Sequence, residues 1–330
     1  MKYELHILDV KDADALVINY KANDFDRWWT AVIDSGNVGD SEKVKAQIKH
    51  IENGRYFIDY AFCTHPDKDH KGGFFDLLTD RNVEISNFCL LRPDDAVRKD
   101  FRRLNYDKVE LLNVAKGLYN HPTDNTRNLI DDIESYSHHY NLVLGQDVVG
   151  MPIKMVGPHN DYFTNAAFEM VDNFAELEDE SPFENYAPDE LPTDNEAKSV
   201  MDEKKEESAT NKSSMILLFH PQGRNFLLAG DSCTASIHQA IDDFPELVGC
   251  TLKVPHHGSK RNLTTEVIDL LKPRQSVISC KGTKKHPNRA IVHFLSKYGD
   301  VFSTSKSGSL TYYYPSRGGG AIALRKQQKL

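Results

Sequence analysis

Thr64-His65-Pro66-Asp67-Lys68-Asp69-His70-Lys71-Gly72-Gly73 follows directly on residues 56–63, an apolar run with the character of a buried strand. The segment therefore forms a loop at a sheet edge. His65, Asp67, Asp69 and His70 place four potential metal ligands within six residues. A short turn can splay such a set around two points a few ångströms apart. Imidazole with carboxylate suits zinc, manganese or iron, whereas a hard-ion site would use more oxygen. Gly72 and Gly73 are expected to let the backbone turn tightly beneath a helix start. A polar loop capped by Asp is the bland alternative and suffices for a lone H-x-D. The full H-x-D-x-D-H-x-G-G pattern behind an apolar strand points to a metal site.

Working outward, residues 3–10, 15–20 and 31–34 read as strands. Gly36 and Gly39 then break the chain, and Asp40-Ser41 caps an expected helix over about 41–53. Residues 97–140 are expected to be largely helical. Residues 153–156 form a short strand, and 214–219 with 225–228 form a hairpin around Pro221-Gln222-Gly223. Later strands fall at 252–254, 276–279, 301–303 and 310–314, with helices over about 263–271 and 287–298. Short apolar strands interleaved with helices predict an α/β protein of sheet layers covered by helices. The 330 residues read as one domain, with a largely helical insertion at about 97–140 and an acidic flexible insertion at about 170–210.

The composition, 39% apolar and 10% aromatic, excludes disorder throughout. No stretch approaches the ~18 consecutive apolar residues of a membrane span. Glu4 interrupts the first apolar run too early for a signal peptide. Cys63, Cys89, Cys233, Cys250 and Cys280 are scattered without a C-x-x-C, which argues against a disulfide framework or a Cys-rich zinc site and for a reducing, cytoplasmic setting. The net charge of −9 hides an asymmetry. Residues 172–207 hold 14 Asp/Glu against 3 Lys, and residues 251–330 hold 15 Lys/Arg against 3 Asp/Glu. The acidic segment reads as a solvated, mobile insertion, either a passive loop or a polyanion mimic over the basic face. The basic third suggests an anionic partner.

The loop at 64–73 resembles the signature H-x-[HD]-x-D-H of the metallo-β-lactamase fold. Its Asp67 and its Gly-Gly resemble the hydrolase domain of ComEC-type DNA-uptake proteins. Further similar motifs follow in order. Leu8-Asp9-Val10 with Asp14 resembles "LDVGxGD", although Lys11 and Ala13 stand where glycines are usual. Ile33-Asp34-Ser35-Gly36 resembles "IDxG", and Asn211-Lys212-Ser213-Ser214 resembles the approach to the second sheet. Leu228-Ala229-Gly230-Asp231, Pro255-His256-His257-Gly258-Ser259 and His286-Pro287 resemble "LxGD", "HHGS" and the late "HP".

The resemblance implies an αββα sandwich of two sheets flanked by helices, holding two divalent metal ions (Zn or Mn). By position, His65 and Asp67 would bind one ion, Asp69 and His70 the other, and Asp231 would bridge both. His256 would complete the second site, with His257 as the alternative ligand or a partner behind it. ComEC-type domains lack the extra metal-binding His of many relatives. His159 and His220 fall in that interval but match no motif, so the first ion is short of protein ligands. Two such ions about 3.5–4 Å apart would give hydroxide near neutral pH. Asp69 would orient it, and His286 would protonate the leaving oxygen or bind phosphate. His257, Ser259, Lys260 and Lys285 are expected substrate contacts.

The function expected first is a phosphodiesterase or nuclease acting on a nucleic acid or nucleotide. A hydrolase of a small ester, thioester, lactone or phosphoester, and a non-catalytic metal-binding interaction subunit, are the alternatives. ComEC-type proteins carry this domain beside membrane helices. Their absence here implies a stand-alone enzyme with no membrane association, open to a separately encoded protein partner. Trp28-Trp29 and Tyr312-Tyr313-Tyr314 are expected to pack, His138-His139 to lie on a surface loop, and Gly318-Gly319-Gly320 to form a turn.

Overall fold

The structure, a computed structural model, describes residues 1–99, 107–173, 192–203, 207–282 and 286–315, with the backbone of Ala323–Leu324. Lys285, the segments 174–191 and 204–206 of the acidic insertion, and Gly318-Gly319-Gly320 lie outside the described residues.

The chain opens with the antiparallel strands β1 (Lys2–Ile7), β2 (Ala15–Lys21) and β3 (Trp29–Ser35), then helix α1 (Ser41–Lys45). β4 (Ile51–Glu52) and β5 (Arg55–Cys63) form a hairpin. Helix α2 (Lys68–Thr79) crosses to β6 (Val83–Leu90), which pairs parallel to β5. Helices α3 (Pro93–Lys99), α4 (Lys108–Gly117) and α5 (Leu129–Tyr136) precede β7 (His138–His139), a short edge strand rather than the expected surface loop. The second sheet starts with β8 (Ile153–Gly157), followed by α6 (Asn160–Asp172), α7 (Asp194–Asp202) and α8 (Ala209–Ser213). β9 (Ile216–Phe219), β10 (Phe226–Leu228), α9 (Thr234–Asp243), β11 (Thr251–Lys253), α10 (Thr265–Leu271), β12 (Gln275–Ile278), α11 (Arg289–Ser296) and β13 (Asp300–Ser303) complete it. After α12 (Thr304–Ser307), β14 (Leu310–Tyr314) and β15 (Ala323–Leu324) return to the first sheet, where β14 pairs with β1 in the register Tyr3↔Tyr314.

The two strand orders are β15-β14-β1-β2-β3-β5-β6-β7 and β13-β12-β11-β10-β9-β8. Side-chain alternation builds the layers. Tyr3, Leu5, Ile7, Ile18, Ile33 and Phe62 of the first sheet meet Met155, Leu217, Phe219, Phe226 and Leu228 of the second in one central core. Val17, Val32, Ala61 and Phe88 point the other way, toward α1, α2 and α5. Leu218, Leu227, Leu252 and Ile278 point toward α7, α9, α10 and α11. The result is helix–sheet–sheet–helix, and two-sided burial explains why the strands read as continuous apolar runs. Tyr3, Phe219, Phe226 and Tyr312 interlock edge-on and stacked at centroid distances of 5.1–6.1 Å. Tyr312 is thus core, and Trp29 packs at its margin.

Three local expectations change. The helix expected over 41–53 ends at Lys45, and its last residues instead form β4, which Asn53 and Gly54 at φ 50° and 78° turn back onto β5. The acidic insertion holds α7, whose Thr193–Glu196 capping box starts a helix that buries Ala197 and Met201. Its Asp194 pairs with His293 (2.6 Å) and Lys297 (2.9 Å) of the basic third. Gly72 and Gly73 lie inside α2 rather than at a turn. A Cβ there would meet the Val38 nitrogen at 2.5 Å and the Ser35 oxygen at 2.2 Å, so the glycines let α2 lie directly on the end of β3. All five cysteines are free and buried. Among the described residues no helix is long and apolar enough to cross a membrane.

Candidate metal centre

The site forms where the ends of β3 and β5 meet the ends of β10 and β11. Asp67 occupies the N-cap position of α2, yet its carboxylate makes no capping bond. Oδ2 instead lies 3.4 Å from His65 Nε2. A polar capping loop would have spent that carboxylate on the helix amides, so the bland reading of the segment fails here.

Asp34, at φ 52°, organises the two histidines. Its Oδ1 accepts the Thr64 amide (2.8 Å), and its Oδ2 accepts both the Thr64 hydroxyl (2.8 Å) and His70 Nδ1–H (2.7 Å). With its proton given to Asp34, the Thr64 oxygen accepts His65 Nδ1–H at 3.0 Å. Both rings are thereby fixed with the Nε2 lone pair facing the site, the orientation used by metal-bound histidine. The rings stand 4.1 Å apart, and both Nε2 atoms are buried without a hydrogen-bond partner. His257 repeats the device: Nδ1–H donates to the Ser279 carbonyl (2.9 Å), and Nε2 faces Asp69 Oδ2 at 3.1 Å.

Asp231 sits between the two groups. Its Oδ1 is 3.4 Å from His70 Nε2 and its Oδ2 is 3.9 Å from His65 Nε2. Gly230 at φ +50° brings it there, since a Cβ would meet the Ser214 hydroxyl at 2.5 Å. Ser214 Oγ accepts the Asp231 amide (3.0 Å), and Asn262 Nδ2–H donates to the Asp231 carbonyl (2.8 Å). Among the described residues three groups of potential ligands result, His65–His70–Asp231, Asp69–His70–His257 and, behind them, Asp14–Asp34–His70.

The adjacent histidines are separated by their backbones, at φ 45° and 52°. His257 joins the ligand cluster. The His256 ring is turned aside, with Nδ1 at 3.0 Å from both Asn211 Nδ2 and Asn262 Oδ1, while its amide donates to Asp231 Oδ1 (3.1 Å). Of the two histidines the sequence left open as ligands, His257 is the one grouped with Asp69 and His70, while the His256 ring meets Asn211 and Asn262. His286 lies nearby, its ring 5.7 Å from His256 and 6.2 Å from His257. Ser259 is buried, and its hydroxyl accepts the Arg261 amide (3.3 Å) instead of facing the cluster. Lys260 is half-buried on the same loop. His159 and His220 are committed elsewhere, to Asp243 (2.5 Å) and Asp147 (2.6 Å).

The electrostatics fit a cation. Burial disfavours charge on His70 and His257, but the surrounding carboxylates outweigh it. Asp231, Asp34 and Asp69 hold His70 well above the ordinary value, and Asp69 with Asp231 and Asp14 lifts His257 to about 9. Burial likewise raises Asp231 and Asp69, yet the His70 ring, joined by His256 at Asp231 and His257 at Asp69, holds both below the carboxylate range. His256 is lowered by burial. Opposed lone pairs of imidazole and carboxylate, closed off from solvent, call for protons or metal ions among them.

Sequence reasoning did not single out Asn262, or the buried ion pair of Lys253 with Asp14 behind the cluster. A lysine between Leu252 and Val254 in an apolar strand was the available signal.

Four layers, helix–sheet–sheet–helix, carry the ligand cluster between the two sheet ends, which is the arrangement the sequence resemblance implies. No protein-family profile matches the chain. It is similar to ComE operon protein 3 of Bacillus subtilis (strain 168), with 30% identity over 115 residues, 34% of this chain and 15% of that protein. The chain thus aligns with only a small part of that relative. Similar solved structures include Tm1679, a metal-dependent hydrolase of the β-lactamase superfamily (12% identity, TM-score 0.48, covering 93% of this chain and 98% of that one). YhfI from Bacillus subtilis, a metallo-β-lactamase fold protein, matches at 7% identity and TM-score 0.46, covering 94% and 99%. CmlA β-hydroxylase matches at 12% identity and TM-score 0.44, covering 94% of this chain and 53% of that one.

Proposed function

We propose that the chain is a metal-dependent hydrolase that cleaves phosphodiester bonds of a nucleic acid or nucleotide at a dinuclear centre. The observation that carries this reading is Asp231, whose Oδ2 faces His65 and whose Oδ1 faces His70, the histidine common to the groups with His65 and with Asp69 and His257. His65, Asp67 and Asp231 would hold one divalent ion; Asp69, His70, His257 and Asp231 would hold the other. Charge supports two ions. Among the described residues, Asp14, Asp34, Asp67, Asp69 and Asp231 meet two buried ammonium groups, Lys253 and Lys71, a deficit of three positive charges. Two divalent cations turn that into a surplus of one, which suits a hydroxide or a phosphoryl oxygen. Bound ions of this kind bring the pKa of a shared water toward ~7 and stabilise charge on phosphorus-bound oxygen.

The chain's own groups do the rest. Asp34 holds the His65 and His70 rings, and Asp69 beside His257 orients the attacking oxygen. His286, next to His256, protonates the leaving oxygen or binds phosphate. The basic segment 251–330 attracts the polyanion. The motif resemblance to ComEC-type DNA-uptake proteins supports a nucleic-acid substrate.

The test is hydrolysis of bis(4-nitrophenyl) phosphate and of single- and double-stranded DNA and RNA by chelator-treated protein reloaded with Mn²⁺ or Zn²⁺, with salt titration of polynucleotide binding. Metal-dependent cleavage with a steep negative salt slope is expected. Cleavage of the small diester without polynucleotide binding assigns a small-molecule hydrolase, and metal uptake without turnover assigns an interaction subunit.

A further inference from the structure

Lys253 is a fully buried lysine at the end of β11, between Leu252 and Val254, and among the described residues its ion-pair partner is the equally buried Asp14. Burying such a pair is costly, and an apolar pair of similar volume would fill the space at least as well. The two residues occupy a particular junction. Lys253 ends β11, and the chain then runs through Val254 and Pro255 to His256 and His257; the Val254 amide donates to the Val277 carbonyl (2.8 Å). Asp14 ends the β1–β2 loop. Its amide donates to the Asp69 carbonyl (3.2 Å), and its carbonyl accepts the Gly36 amide (2.8 Å) just beyond Asp34. Lys253 Nζ donates to Asp14 Oδ2.

Each half of the ion pair therefore belongs to a segment that presents one ligand: Asp14 the Asp69 segment of the first sheet, Lys253 the His257 segment of the second. Those two ligands face each other at 3.1 Å. We propose that Lys253 and Asp14 are positioning residues that lock the two sheets in the register at which Asp69 and His257 share one metal ion. The same loop is pinned once more by the Lys281 amide, which donates to Asp12 Oδ1 (2.7 Å), so the ion pair works from a braced base. The inference rests on the proposed metal centre but not on its substrate.

Two mechanisms predict opposite signs for Lys253→Met. If Lys253 acts only through its charge, removing a cation near the site tightens metal binding. If it positions Asp69 against His257, binding weakens despite the lost repulsion. The experiment is Co²⁺ titration of the chelator-treated full chain, read by the visible d–d absorption and by elemental analysis, alongside a thermal melt. For Lys253→Met we expect roughly 10–100-fold weaker binding of one Co²⁺ with altered d–d bands, as for other residues that orient ligands. The second ion should bind as in the parent.

The double variant Lys253→Met/Asp14→Asn removes both charges and keeps the fold if the single variant loses it, and it should show the same selective loss. Parental or tighter Co²⁺ affinity in either folded variant overturns the proposal. A parent that takes up Co²⁺ but hydrolyses no phosphodiester overturns the proposed function and leaves this result standing.

Discussion

Asp34→Asn isolates the group that aims two histidines. The substitution keeps shape and volume. Oδ1 can still accept the Thr64 amide now at 2.8 Å, but an NH₂ replaces the Oδ2 that accepts from the Thr64 hydroxyl and from His70 Nδ1–H. Donor then meets donor at 2.7 Å. His70 relieves the clash by moving its proton to Nε2, which is the atom that faces Asp231 at 3.4 Å. One lone pair is lost from two of the groups that contain His70, the one with His65 and Asp231 and the one with Asp69 and His257. Thr64 turns as well and releases His65. Losing a group that orients metal-binding histidines costs roughly 10–100-fold in affinity, about 1.4–2.7 kcal/mol. Two rings depend on Asp34, so the upper end is expected. Competition of the folded variant against a chromogenic chelator for Zn²⁺ measures it, with circular dichroism as the control for folding. Affinity within twofold of the parent would refute the view that Asp34 sets the tautomers.

Alanine at Asp231 or at Asp69 should abolish metal-dependent turnover, by at least about a hundredfold, in a protein that still melts cooperatively; full activity in either contradicts the ligand assignment. In the metal-free chain, carboxylates raise His257 to about 9 from an ordinary 6.5 and raise His70 as well. Their stabilisation is complete below about pH 6.5 and lost as pH rises through about 9, so apo melting temperatures should fall across that window while metal-loaded ones do not. Lys11 holds φ 68°, a left-handed conformation costing roughly 1–2 kcal/mol in an L-residue. Lys11→Gly relieves it at an entropic cost of about 0.5–1 kcal/mol, and a net gain of up to about 1 kcal/mol is expected in denaturant titration; a net loss opposes the reading. Phe226→Ala empties the aromatic junction of the central core and should cost about 3–5 kcal/mol with metal affinity unchanged.

Much of this architecture is written in short-range pattern. Strands buried on both faces leave unbroken apolar runs, as at Phe226–Leu228, and four ligands packed between His65 and His70 announce themselves without any knowledge of the fold. What escaped the sequence depends on contacts at a distance or on backbone sign. The short α1 and its hairpin hinge on two positive-φ residues, Asn53 and Gly54, although Asn-Gly is itself a turn signal. Choosing between His256 and His257 requires knowing which way each ring swings from a left-handed backbone. Ala197 and Met201 look too sparse to anchor a helix until α11 lies beside them with His293 and Lys297 facing Asp194. Lys253 reads as an interruption of a strand until Asp14 arrives from the far end of the chain.

β1 lies between β2 and β14, so one of its neighbours is made directly after it and the other long afterwards. A growing chain thus carries an open edge on β1 until β14 is made. The imidazole–carboxylate loop emerges alongside it, long before Asp231 and His257 exist to enclose an ion. Ribosome-bound intermediates should take up metal loosely and pair promiscuously along β1. The first hazard ends once Asp231 and His257 fold against the loop, and the second when Leu310–Tyr314 docks against Lys2–Ile7.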